Sequence, residues 1–160
     1  MMTPTLKEFA KRLAVFRGTS LKLLYSKGPI PSVIIRAENE LVGDLTIYDD
    51  GDELTIDIGR KHHTHVSAYN YDRHPETEYD RHPETERLKM VAQDAAAFVD
   101  DVMRDRVCVT VNFQGERCIG SSHFYLDEEN ASSSLVQEIA VAATSSGRRS
   151  ERFLWSGPIT

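Results

Sequence analysis

The chain has 160 residues, 40% of them hydrophobic and 28% charged, with a net charge of −6. That size suits one domain, residues 1–160, with a core of its own. The acidic balance excludes general binding to a nucleic-acid backbone, which needs clustered Lys and Arg; it fits a basic protein partner, or charge that only keeps the chain soluble.

Residues 3–17 read as a helix, with Thr3 as cap, Pro4 in the first turn, Gly18 as stop, and Leu6, Phe9, Leu13 and Phe16 in one apolar stripe. Strands follow at 21–26 and 32–38. Leu45 and Ile47 alternate with polar residues, as do Leu54, Ile56 and Ile58, around the turn chemistry of Asp49, Asp50, Gly51 and Asp52. KHHTHVSAY, 61–69, makes a fifth strand. A second helix over 84–105 carries the stripe Leu88, Val91, Ala95, Phe98 or Val99, and Val102. A hairpin with arms at 107–113 and 117–128 comes next. A third helix is expected over 132–146, with the serines 132–134, 145 and 146 as loop and cap residues. Phe153 and Trp155 suit a final strand, with Arg148, Arg149 and Arg152 on the turn before it. The fold expected is α+β: a mostly antiparallel sheet of about six to eight strands in a meander, with two or three packed helices.

The phrase YDRHPETE occurs twice without a difference, at 71–78 and 79–86. Only the second copy runs into an apolar stripe, so Pro83, Glu84 and Glu86 open the helix, with Asp80 available as a cap. Extending the helix through both copies would put Pro83 in its interior, at a cost of about 3 kcal/mol. Looping out the first copy costs about 0.6 kcal/mol of closure entropy. The first copy therefore reads as a surface loop, and the identity of the copies as a recent or artificial duplication. A changed connection before a packed helix is also where domain swapping arises, so monomer and swapped homodimer both stay open.

No apolar run approaches the roughly 20 residues of a membrane span. The start MMTPTLKEFAKRL lacks the apolar stretch of a secretion signal, so the protein is expected in the cytoplasm. Cys108 and Cys118 are then free thiols, buried as small hydrophobes in strands. No glycine-rich phosphate loop, nucleophile elbow or other cofactor motif is present, so no cofactor is expected and no catalytic residue is assigned.

His63 and His65 share one face of their strand and His62 points the other way. Two imidazoles on one face offer half of a metal site, with His123, Asp57 or a histidine of the doubled phrase as a further ligand; a polar strand edge explains the cluster equally well. The same histidines could serve as a general base, which makes a small metal-binding protein or hydrolase-like enzyme the alternative function. Asp49, Asp50, Asp52 and Glu53, with Asp57 nearby, form the densest acidic group. They read as a partner-binding surface or as a solvated turn.

The order helix, antiparallel meander, helix, hairpin and closing Trp155–Gly157 segment resembles the small acidic immunity proteins of bacterial polymorphic-toxin systems. The stretch ELTIDIGRKHHTHVS is similar to the same group. The resemblance implies an α+β protein that binds and blocks a cognate toxin without catalysis of its own. It carries no individual site residue over.

Overall fold

The structure, a computed structural model, describes residues 2–18, 21–26, 28–68, 83–126 and 147–159. The first copy of the doubled phrase and the expected 132–146 helix lie outside these residues.

Helix α1 spans Pro4–Arg17 and is capped as its sequence suggests: the Thr3 hydroxyl accepts from the Leu6 N–H at 3.2 Å. The same hydroxyl donates to the Asp49 carboxylate, which ties the start of the helix to the tip of a hairpin. Leu6, Phe9 and Leu13 are fully buried, whereas Phe16, in the last turn, is 41% exposed. Five strands follow: β1 Leu23–Ser26, β2 Ser32–Ile35, β3 Leu45–Asp49, β4 Glu53–Ile58 and β5 His62–Ser67. They pair in chain order as an antiparallel meander. One face carries the alternating residues Val33, Ile35, Leu45, Ile47, Leu54, Ile56 and Ile58, all buried. The other carries Thr46, Tyr48, Glu53, Thr55, Asp57, His63 and His65, which are half-buried or exposed.

Helix α2 is Glu84–Met103, with Pro83 at its N-cap and Glu84 and Glu86 in the first turn. Pro83, Glu84 and Glu86, the described end of the second copy, thus do open the helix. Its apolar face, including Val91, Ala95, Val99 and Val102, lies against β4, β5 and α1. The helix ends at Asp105, which takes a positive φ of 58°. The Arg106 N–H reaches back to the Asp101 carbonyl at 2.9 Å and closes the last turn. The Asp105 carboxylate accepts from the Ser156 N–H at 2.9 Å and so fixes the turn near the C-terminus.

The remaining strands are β6 Val107–Gln114, β7 Arg117–Tyr125, β8 Arg148–Leu154 and β9 Gly157–Ile159. They form a second antiparallel sheet in the order β7-β6-β8-β9. The expectation of one sheet is therefore corrected to nine strands in sheets of five and four among the described residues. Both sheets and both helices still bury one continuous apolar cluster, from Leu6 to Trp155.

Three local expectations also change. Arg148, Arg149 and Arg152 sit on β8 and not on a turn. Phe153 and Trp155 do not share a strand, because the chain turns at Trp155 and Ser156 before β9, with both aromatics buried. Cys108 is buried as expected but Cys118 is exposed, since it lies on β7, the edge of its sheet.

One polar group is buried between the helices. Asp100 of α2 is 6% exposed; it accepts from Arg104 Nε at 2.8 Å and lies 3.6 Å from the Arg17 guanidinium of α1. Both arginines keep contact with solvent, so removing the carboxylate leaves no deeply buried charge behind. Asp100→Ala is expected to cost about 1 kcal/mol, read as a lowered denaturation midpoint at unchanged slope.

Candidate functional site

Two regions concentrate functional side chains. The first is the tip of the β3–β4 hairpin. Asp49 closes β3 and also accepts from the Gly51 N–H at 3.0 Å, which holds the turn in shape. Asp50 accepts from the Thr55 hydroxyl at 2.6 Å. Glu53 lies 3.0 Å from Nδ1 of His65, its near neighbour on β5. The donors to Asp49 and Asp50 are thus hydroxyls and an amide, so these groups hold the carboxylates in place without cancelling their charge. Asp57 faces outward on β4 with Glu53 and Thr55, but four residues along, about 13 Å from the tip. Its cross-strand neighbours are Thr46 and His63. It therefore shares the sheet face with the acidic tip without joining the same cluster.

His63 and His65 do lie on this outward face, with ring centroids 5.5 Å apart. No third His, Cys, Asp or Glu among the described residues completes a metal-holding group with them. Neither His74 nor His82 of the doubled phrase belongs to the described residues.

The second region lies where the two sheets meet. β5 is one edge of the first sheet and β7 one edge of the second. His62 points away from His63 and His65, as its parity requires, and reaches across to β7. Its Nε2 is 2.7 Å from Nδ1 of His123 and its Nδ1 is 2.9 Å from the Ser121 hydroxyl. His123 in turn packs edge-on against Phe98 of α2, centroid to centroid 5.1 Å. Burial, reinforced by the neighbouring His123 and His63 rings, pushes His62 down to about 4. Burial also lowers His123. Both rings are thus neutral at pH 7, and one ring donates to the other across the short contact.

Two local features deliver these groups. Gly59 ends β4 at φ 56°, and its N–H donates to the Asp44 carbonyl at 2.8 Å. The tight turn that follows places His62 at the first position of β5. On β7, Asn112 pairs with Gly120 but Phe113 pairs with Cys118, so Ile119 is an extra residue in a β-bulge. The bulge resets the alternation just before Ser121 and His123. A cleft of about 710 Å³ opens beside the contact, lined by Asp57, Arg60, Lys61, His62, Cys118 and Ser121 among others.

No family model, curated protein or solved structure matches the chain. Its functional reading therefore rests on the residues themselves.

Sequence reasoning identified the acidic tip and the outward histidine pair, and it considered His123 as a partner for His63 and His65. Instead, His123 meets His62. Ser121 was not singled out at all. It lies 59 residues from His62 in the chain and sits in no nucleophile motif, so only the meeting of β5 with β7 exposes the pair.

Proposed function

We propose that this chain is a protein-binding protein that engages a basic partner through its acidic hairpin, in its most concrete form neutralising a cognate bacterial toxin without chemistry at that surface. The observation that carries the reading is the hairpin tip, where Asp49 and Asp50 are held by neutral donors. The chain's net charge of −6 adds long-range attraction for a basic partner. Of the described helices, α2 lies against β4 and β5 and α1 lies against α2, while Tyr48, Thr55 and Asp57 on the outward face of the meander stay half-buried. Among the described residues no helix is long and apolar enough to cross a membrane. The reading locates the protein in the cytoplasm, where Cys108 and Cys118 stay as thiols.

Neutralising the tip with Asp49→Asn, Asp50→Asn, Asp52→Asn and Glu53→Gln tests this reading. Association with a basic partner, sought first among the products of the neighbouring genes, should slow about tenfold or more at low salt and lose much of its salt dependence. Equal rates for the native chain and the variant would remove the hairpin from the interface.

The second reading is a small metal-binding protein on His63 and His65, favoured by their shared face and the 5.5 Å ring separation. Zinc or nickel at about 100 times its dissociation constant should then add about 2.7 kcal/mol of stability, and a His63→Ala, His65→Ala variant should lose the gain. A thermal midpoint that ignores both ions disposes of this reading.

A further inference from the structure

We propose that Ser121 is the nucleophile of an acyl-transfer site in the cleft between the two sheets, with His62 as its general base and His123 as the positioning residue behind the base. This goes beyond the binding reading and does not depend on it. Three arrangements carry the proposal. The Ser121 hydroxyl lies 2.9 Å from His62 Nδ1, which is within reach for proton transfer. The other nitrogen of His62 is held 2.7 Å from His123 Nδ1, so the base has a fixed orientation. Nucleophile, base and orienting group in that order is the constellation that activates a hydroxyl. Third, Ser121 and His62 both line an open cleft large enough for a small substrate, and the exposed bulge residues Ile119 and Gly120 leave Ser121 at an accessible edge.

The chemistry balances with groups on the page. Ser121 Oγ bonds to the carbonyl carbon of an ester while its proton passes to His62 Nδ1. The ester C–O bond then breaks, and the departing alcohol takes that proton. Water adds to the acyl-serine by the same route and releases the carboxylic acid. Arg60 lines the cleft and is the cationic group there for the oxygen that becomes negative, while the Lys61 ammonium lies over the Phe153 ring at 4.4 Å.

An alkyl fluorophosphonate tests the site on the intact chain, because Oγ displaces its fluoride and leaves a stable phosphonate at the reacting serine. The expected result is one label, mapped to Ser121 by peptide mass spectrometry. Ser121→Ala should not label, and His62→Ala should label about 100-fold more slowly. His123→Ala should also slow labelling, with His123→Gln recovering part of the rate because an amide still reaches His62. An unlabelled native chain, or a label spread over other serines, overturns the proposal even if every variant fails to fold. A rate that His62→Ala leaves unchanged overturns His62 as the base.

Discussion

Gly59→Ala is expected to cost about 3–5 kcal/mol of stability. Two penalties combine at this position. The backbone takes φ 56°, which an L side chain rarely adopts. In addition, an added Cβ would sit 1.8 Å from the Val42 carbonyl oxygen, which is backbone and cannot rotate aside. The turn must therefore move, and with it the hydrogen bond from the Gly59 N–H to Asp44. Gly51 provides the control, because its φ of 93° is equally unusual but nothing lies within 4 Å of its Cβ position. Gly51→Ala should cost about 1 kcal/mol, the conformational penalty alone. Denaturant midpoints for the two variants separate the steric part from the backbone part. Equal losses would contradict the close approach of residues 42 and 59. The consequence is functional as well, since the Gly59 turn sets where His62 begins β5.

Acidification should weaken the fold through the His62–His123 contact. His62 falls from the usual 6.5 to about 4 in the folded protein. The unfolded chain therefore binds the extra proton first, and stability is lost as the pH falls from about 6.5 towards 4. Above 6.5 the contribution is fully present, and below 4 it no longer changes. The full shift corresponds to about 3 kcal/mol, and solvent screening of a half-buried ring reduces this to about 1–2 kcal/mol. His123 moves in the same direction and adds to the slope. The groups that meet His62 are Ser121, His123 and His63, with Arg60, Lys61 and Asp57 around the adjoining cleft. None of these is an acid paired with His62 that would favour its protonated form. Urea unfolding at pH 7 and pH 4.5 should show a smaller drop for His62→Gln than for the native chain. An identical drop would show that the acid sensitivity arises elsewhere.

Much of the architecture was legible because burial has a period. Leu45 and Ile47 against Leu54, Ile56 and Ile58 mark a strand pair with one wet face, and the register pairs Leu45 with Ile58 and Ile47 with Ile56. Val91, Ala95, Val99 and Val102 mark the inner face of α2 just as directly. Periodicity does not name a strand's neighbour, so the separation into two sheets stayed hidden. The C-terminal strands were harder still. Arg148, Arg149 and Ser150 give β8 an exposed polar start, and Trp155 is buried from within a turn rather than from a strand. The acidic tip was visible because its residues are adjacent in the chain. The Ser121–His62–His123 group was not, since it joins the edges of different sheets and depends on a bulge that shifts the parity of β7.

On the proposed reading, the acidic hairpin neutralises a basic toxin. A growth rescue tests this most directly, using a basic toxin sought among the genes that neighbour this chain's own. Cells that express that toxin should survive when the native chain is co-expressed, and should die when Asp49, Asp50, Asp52 and Glu53 are replaced together by lysine in a variant that still folds. Rescue by that variant as efficient as by the native chain, or no rescue by either, would rule out neutralisation through the hairpin.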